Sequence, residues 1–255
     1  MIKSIQKATK LLSILADSYE QPVPLSELST KANINKSTCS HIISTLESEG
    51  YATKISQSKG YMLGPAAYSL SRFGRYKSQL SEVCKPIMQY LYRHSGYSVV
   101  LAIIEGGTKY LIDYIDDGRI FETKEKIRPD DIYRTATGRA ILANLNSQKL
   151  DEIIHKYGHP TSEEWPEISS YDNLLDYISK IKKDSIFKSR VFHKNKNTVN
   201  LGYGAAIFNN IGCVGAIGVA VCIPYSEETS FEEEEKKIIK LLERGALEIN
   251  RRLSS

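Results

Sequence analysis

Cysteine is scarce and badly spaced for chemistry. The four, Cys39, Cys84, Cys213 and Cys222, include no CxxC pair, which argues against a structural zinc site and against a disulfide framework. Long apolar runs are also missing. The longest, 99–104 and 213–223, fall well short of the ~20 residues of a membrane-crossing helix, and glycines interrupt the second. No secretory leader pattern is visible, so the expected compartment is the cytoplasm, with no membrane partner. Charge of one sign does not dominate: 34 basic against 30 acidic residues leave +4, too little to establish a nucleic-acid partner by itself. Catalytic signatures are wanting too, with no nucleophile elbow, P-loop or dinucleotide fingerprint. His155 and His159 stand four apart, but Gly158 and Pro160 break the helix that such a metal pair needs. The acidic run 232–235 reads as a dipole-matched helix start rather than a metal site. The expectation is therefore a chain with no cofactor and no metal, and not an enzyme.

What is present is a hydrophobic content of 41% over 255 residues, enough for one large core or two smaller ones. Charge is also unevenly placed. Up to Leu80 the bases Lys3, Lys7, Lys10, Lys31, Lys36, Lys54, Lys59, Arg72, Arg75 and Lys77 face only Asp17, Glu20, Glu27, Glu47 and Glu49.

Periodicity divides this basic front end into three helices. Ile5, Ala8, Leu12 and Leu15 recur at helical spacing over 4–16. A short second helix begins near Ser26 with Leu25, Leu28 and Ala32 as its apolar side, and it stops at Asn33-Ile34-Asn35. Asn35 is a good N-cap for a third helix over 36–49, and Ile34 can staple onto Cys39. In that helix Cys39, Ile42, Ile43 and Leu46 share one stripe while Ser37, His41, Ser44 and Ser48 lie opposite. Residues 51–55 and 61–63, joined by the polar turn 56–60, form a hairpin. Pro65 suits the first turn of a linker helix over 65–80, with a break expected before Pro86. A further helix carries Val83, Ile87, Tyr90 and Leu91.

Beyond Gly96 the texture changes. Strands are expected at 97–104, 108–115 and 120–127, helices at 137–144, 147–156 and 171–183, and an apolar hairpin joins 202–208 to 213–223. A last helix follows, capped by Ser230 with Glu233 three residues on. This order implies an α+β domain with an antiparallel sheet.

Three helices, the last presenting short polar side chains, followed by a basic-tipped hairpin, make a winged helix-turn-helix that fits the major groove of duplex DNA. Lys36, Ser37, Thr38, Ser40, His41 and Ser44 on the helix, with Ser58 and Lys59 on the wing, are the candidate contacts. Backbone N–H groups at Ser37 and Thr38 favour a phosphate, and Lys36 and Lys59 neutralise backbone charge.

The runs Lys36-Ser37-Thr38, Ile42-Ile43-Ser44-Thr45-Leu46-Glu47-Ser48-Glu49-Gly50-Tyr51 and Gly60-Tyr61-Met62-Leu63-Gly64 resemble the IclR family of bacterial transcriptional regulators. Thr135-Ala136-Thr137-Gly138-Arg139-Ala140-Ile141-Leu142-Ala143 resembles the segment between sheet and helix in that family's effector domain, and the 202–223 hairpin resembles its later strands. The resemblance implies three parts: a DNA-binding domain at 1–64, a linker helix at 65–80, and a GAF-like or profilin-like effector and oligomerisation domain at 81–255. It also implies a dimer or dimer of dimers on a pseudo-palindromic operator, more often a repressor than an activator, modulated by an organic, aromatic or sugar acid. Two half-sites one helical turn apart suit that symmetry independently.

Departures from the family pattern bear on both sites. Ser40-His41 stands where many relatives carry His-Arg, removing a fork-like donor. His193-Lys194-Asn195-Lys196 replaces a usually acidic stretch, and Gly218 and Ala220 replace hydroxyl residues. Pocket candidates are Tyr133, Ala136, Thr137, His193, Asn200, Tyr203 and Cys222, with the helix start at 133–138 offering N–H groups to an anion. The rival is a redox-sensing or catalytic α+β domain tethered to DNA. Against it, Cys213 and Cys222 are nine residues apart, on opposite faces of a regular strand and about 30 Å from each other.

Overall fold

The computed structural model describes residues 2–18, 21–56, 59–70, 78–116, 132–168, 170–180 and 186–254. They divide into two compact units, 1–75 and 76–255.

In the first unit, α1 (Lys3–Ala16), α2 (Leu25–Ala32) and α3 (Lys36–Ser48) enclose a core of Leu11, Leu15, Leu28, Cys39, Ile43 and Leu46. Asn33 closes α2 in the left-handed conformation at φ 54°, which an asparagine tolerates better than most residues. Asn35 then caps α3, accepting from the Thr38 amide at 2.8 Å, and Ile34 joins the same core as Cys39. The hairpin of β1 (Ala52–Ser56) and β2 (Gly60–Leu63) is antiparallel, with Ala52 opposite Leu63. Val23, just before α2, pairs with Tyr61 through both backbone bonds, 2.8 and 2.9 Å. Gly60 makes this approach possible: at φ 97°, a Cβ there would sit 2.1 Å from the Val23 carbonyl oxygen. A short α4 (Pro65–Ser69) follows, with Pro65 in its first turn.

The second unit is built on a five-stranded antiparallel sheet in the order β4-β3-β7-β6-β5. Its strands are β3 (Ser98–Glu105), β4 (Thr108–Ile115), β5 (Phe187–His193), β6 (Thr198–Phe208) and β7 (Cys213–Pro224). On one face Val99, Leu101, Val199, Ile207, Ile217 and Val219 pack against α5 (Ser78–Ser95) and the terminal α9 (Glu232–Leu253). The other face receives α6 (Ala136–Leu142) over Ala102, Ala206 and Ala216. Beyond it α7 (Ser147–Tyr157) and α8 (Tyr171–Lys180) gather with Trp165 into a satellite core.

Several expectations need correcting. Pro86 does not break a helix but sits inside α5. Both Pro86 and Glu82, whose carbonyl loses its partner, are exposed, so water can replace the missing bond, while Cys84, Ile87, Met88 and Leu91 hold the helix to the sheet. Ser230 does not cap α9. Its hydroxyl donates back to Glu227 within a 3-10 turn (Tyr225–Ser230), and Phe231 occupies the cap position with no side-chain bond. Cys213 and Cys222 share a face, because an irregularity between Ile207 and Phe208 shifts the register and turns Cys213 toward the Ala216 side. Strand β5 is an addition to the expected elements. The strand expected at 120–127 lies outside the described residues, as does the stretch of the linker helix at 71–77.

Candidate nucleic-acid interface and effector face

Helix α3 sorts its residues by angle. Cys39, Ile43 and Leu46 are buried, whereas Lys36, Ser37, Ser40, His41, Ser44 and Ser48 are exposed. Thr45 and Ser48 fold their hydroxyls back onto the carbonyls of His41 and Thr45, at 3.1 and 2.8 Å. Thr38 is half-buried and its amide is taken by Asn35, so the N–H expected to meet a phosphate there is already used. Lys59 is exposed on the wing, its amide bonded to the Ser56 hydroxyl at 3.0 Å. Lys54 stands over the Tyr61 ring at 5.8 Å. Ser58 lies outside the described residues. The result is a row of exposed polar side chains along α3, with Lys36 at its start and Lys59 exposed on the hairpin.

In the second unit the seven pocket candidates do not all meet. Register places Asn200 between Cys222 on β7 and Val191 on β5, and His193 opposite Thr198, all on the α6 face of the sheet. Ala136 and Thr137 form the neighbouring wall. The helix start is pressed onto glycines there: a Cβ at Gly204 would lie 2.5 Å from the Ala136 carbonyl carbon, and one at Gly218 would lie 2.6 Å from Thr137 Cγ2. Three amides near this helix start are also engaged. Ala136 donates to Ser189 Oγ at 3.2 Å, Gly138 to Thr135 Oγ1 at 3.2 Å, and Arg139 to the Thr135 carbonyl at 3.0 Å. The amides of Ala136 and Gly138 at this helix start are thus already used.

Tyr133 and Tyr203 stand apart from this group. Tyr133 is buried in the satellite core, its hydroxyl donating to the Gly158 carbonyl at 2.8 Å, and burial, with Glu164 nearby, pushes its pKa up to about 12. Tyr203 is on the opposite face, under α9, donating to Glu235 at 3.0 Å. Burial first, and then Glu235, holds its phenol well above the usual range.

Two buried cations organise the surroundings. Arg139, absent from the sequence-based candidates except as part of a motif, donates to the carbonyls of Tyr133 (2.8 Å), Lys188 (2.6 Å) and Glu164 (2.7 Å), and lies 4.8 Å over Trp165. Burial lowers its pKa. Lys109 reaches from β4 to Thr135 Oγ1 at 2.7 Å. Cys213 is poorly placed for thiol chemistry, because burial pushes its pKa up to about 11. Among the described residues no group of three or more His, Cys, Asp or Glu could hold a metal ion, and no helix is long and apolar enough to cross a membrane.

The fold and these two polar surfaces define a class: regulators that pair a winged helix-turn-helix with a separate α+β sensing domain. Residues 4–56 match the IclR helix-turn-helix domain and residues 76–251 match the C-terminal domain of the bacterial transcriptional regulator IclR. The chain belongs to the IclR family, a family of regulators rather than enzymes. The Escherichia coli transcriptional repressor IclR is 22% identical over 160 residues, 62% of this chain and 58% of that one. The chain thus spans under two-thirds of that relative's length. The Bacillus subtilis regulator KipR is 22% identical over 98% of this chain and 97% of its own. Among solved structures, Thermotoga maritima IclR covers 100% of both chains at 20% identity and TM-score 0.61. An IclR homolog from Microbacterium hydrocarbonoxydans, complexed with 4-hydroxybenzoate, covers 98% of both at 13% identity and TM-score 0.67. At these identities the structural likeness speaks for the fold alone.

Proposed function

We propose that the protein is a cytoplasmic, ligand-responsive transcriptional regulator that binds a pseudo-palindromic operator as a dimer or dimer of dimers. It acts as a repressor and is modulated by a small organic, aromatic or sugar acid on the sheet face of the second unit. The observation that carries this reading is α3, whose apolar stripe is buried while Lys36, Ser37, Ser40, His41 and Ser44 stand exposed beside a lysine-bearing wing. A single recognition helix reads only a few base pairs, which favours paired half-sites. Repression is supported by the names of two relatives, the transcriptional repressor IclR and the acetate operon repressor. The 4-hydroxybenzoate complex of a structural neighbour supports an acid as effector.

A mobility-shift titration against the gene's own upstream region tests the reading. Wild-type protein should bind with a steep salt dependence. The His41→Ala, Lys59→Ala double variant should bind more weakly, with a salt slope shallower by about one unit for each phosphate it no longer neutralises. Unchanged affinity and slope would remove α3 and the wing from the DNA interface.

A further inference from the structure

Two neighbouring side chains on the α6 face of the sheet hold buried oxygens with no hydrogen-bond partner among the described residues, Thr198 Oγ1 and Asn200 Oδ1. Both are on β6, two residues apart, so they share a face about 7 Å from each other. His193 on β5 is paired directly with Thr198, which sets their Cβ atoms about 5 Å apart, and its Nε2 is buried as well. The three Cβ atoms form a triangle with sides of about 5–8 Å, small enough for one carboxylate to lie within reach of all three side chains. Asp116, whose Oδ2 is likewise buried, follows β4, three strands away, and stands outside this patch.

Each of the three side chains can donate. Thr198 has an O–H, and His193 has an N–H at Nε2 in one neutral tautomer and in its cationic form. The Asn200 amide presents Nδ2 in place of Oδ1 after a half-turn of its last torsion. The charge around them has the matching sign. The turn joining β5 to β6, Lys194-Asn195-Lys196-Asn197, carries two lysines and no acid. Glu228, which follows β7, is held by Arg190 on the opposite face. The start of α6, the alternative seat for an anion, offers less. Ala136 and Gly138 already give their amides to Ser189 and Thr135, and the Thr137 nitrogen is pressed onto Gly204, 2.7 Å from where a Cβ there would sit.

Taking the sheet face as the effector site and an acid as its ligand, as proposed above, we infer that the acid's carboxylate is seated at the β5–β6 end of the sheet. It accepts from His193, Thr198 and Asn200 rather than from the amides at the start of α6. Three donors around one carboxylate serve both of its oxygens, and its charge strengthens each bond relative to a neutral partner.

The test uses the full chain with four acids, acetate, pyruvate, 4-hydroxybenzoate and gluconate, and with acetamide and 4-hydroxybenzamide as uncharged counterparts. Binding is read by calorimetric titration and by the NMR signals of the five histidines, with His193 assigned from a His193→Gln variant. At least one acid should bind and move the His193 signal, and neither amide should. Thr198→Val and Asn200→Leu keep the shape of the side chains and should each weaken that acid about tenfold or more, the worth of one hydrogen bond to a charged group. If either variant fails to fold by circular dichroism, Thr198→Ser and Asn200→Asp decide: the first keeps the hydroxyl and should retain binding, the second sets a like charge against the carboxylate and should abolish it. An acid that binds equally well in the variants, or without moving His193, overturns the inference. So does an amide that binds as tightly as its acid, or the failure of all four acids at millimolar concentration. Operator binding by the same wild-type preparations keeps the two readings apart. If it is retained while the carboxylate test fails, only the inference falls, whereas wild-type protein that does not bind the operator sinks the regulatory reading itself.

Discussion

The winged unit and the sheet unit use polar residues in opposite ways. On α3 the hydroxyls and His41 lie in the open on one continuous helix, over a core that needs nothing from them. In the sheet unit polar groups from β4, α6, β5, β6 and β7 are sunk between elements, and several of them hold those elements together. A contact surface of the first kind can be altered residue by residue with little effect on folding. The second kind cannot, because those atoms hold the elements to one another.

Arg139 is the sharpest way to break this contrast. Arg139→Met leaves three carbonyls, the buried one of Tyr133 and the part-buried ones of Lys188 and Glu164, without their donor. Stability of the sheet unit in urea, followed by circular dichroism, should fall by about 3–5 kcal/mol. A loss below about 1 kcal/mol would show that the joint does not depend on that cation.

Gly204→Val comes next. Its Cβ would meet the Ala136 backbone at 2.5 Å, so α6 must lift from the sheet at a cost of about 1–3 kcal/mol. Urea unfolding reads this, and a neutral result would mean that α6 is free to shift. In the winged unit the counterpart is milder: Asn35→Ala removes the cap on the Thr38 amide and should cost about 1 kcal/mol.

The smallest effect is expected at the exposed pair Arg190–Glu228, where Nη2 and Oε2 are 2.7 Å apart. Arg190's hydrogen bond holds the Glu228 carboxyl below the ordinary glutamate value of 4.5. The pair's stabilisation is therefore complete above that value and is lost as pH falls through the lowered one. Glu228→Gln should cost under about 1 kcal/mol at pH 7, and the difference from wild type should vanish in acid. A difference that persists at pH 2 would assign the effect to packing.

What can be read from the residues follows the same division. Helix α3 carries its own period, so its buried stripe, its Asn35 cap and its exposed face are all legible locally. The α6 face of the sheet depends on pairings between distant segments. Asn200 and Tyr203 are both pocket candidates by residue type, yet an odd separation of three on a strand puts them on opposite faces. That signal is present in the sequence. So is the alternation in β5, where Phe187, Ser189 and Val191 turn inward between Lys188, Arg190 and Phe192, although charges on the outer positions make it look like a loop. The two cysteines show the limit of parity: a register shift between Ile207 and Phe208 cannot be seen in spacing alone. Ser230 and Pro86 mislead because cap and breaker signals are weak against packing, which at Pro86 is supplied by the α5 core face.

The paired backbone bonds between Val23 and Tyr61 fasten the hairpin to the segment that leads into α2. Hairpin and helix-turn-helix consequently form a single stiff head before any encounter. On meeting a groove, such a head surrenders mainly the rotamer freedom of its lysines and serines, and little backbone entropy is lost in docking. Association then needs no folding step in α3, so selectivity rests more on fit than on ordering.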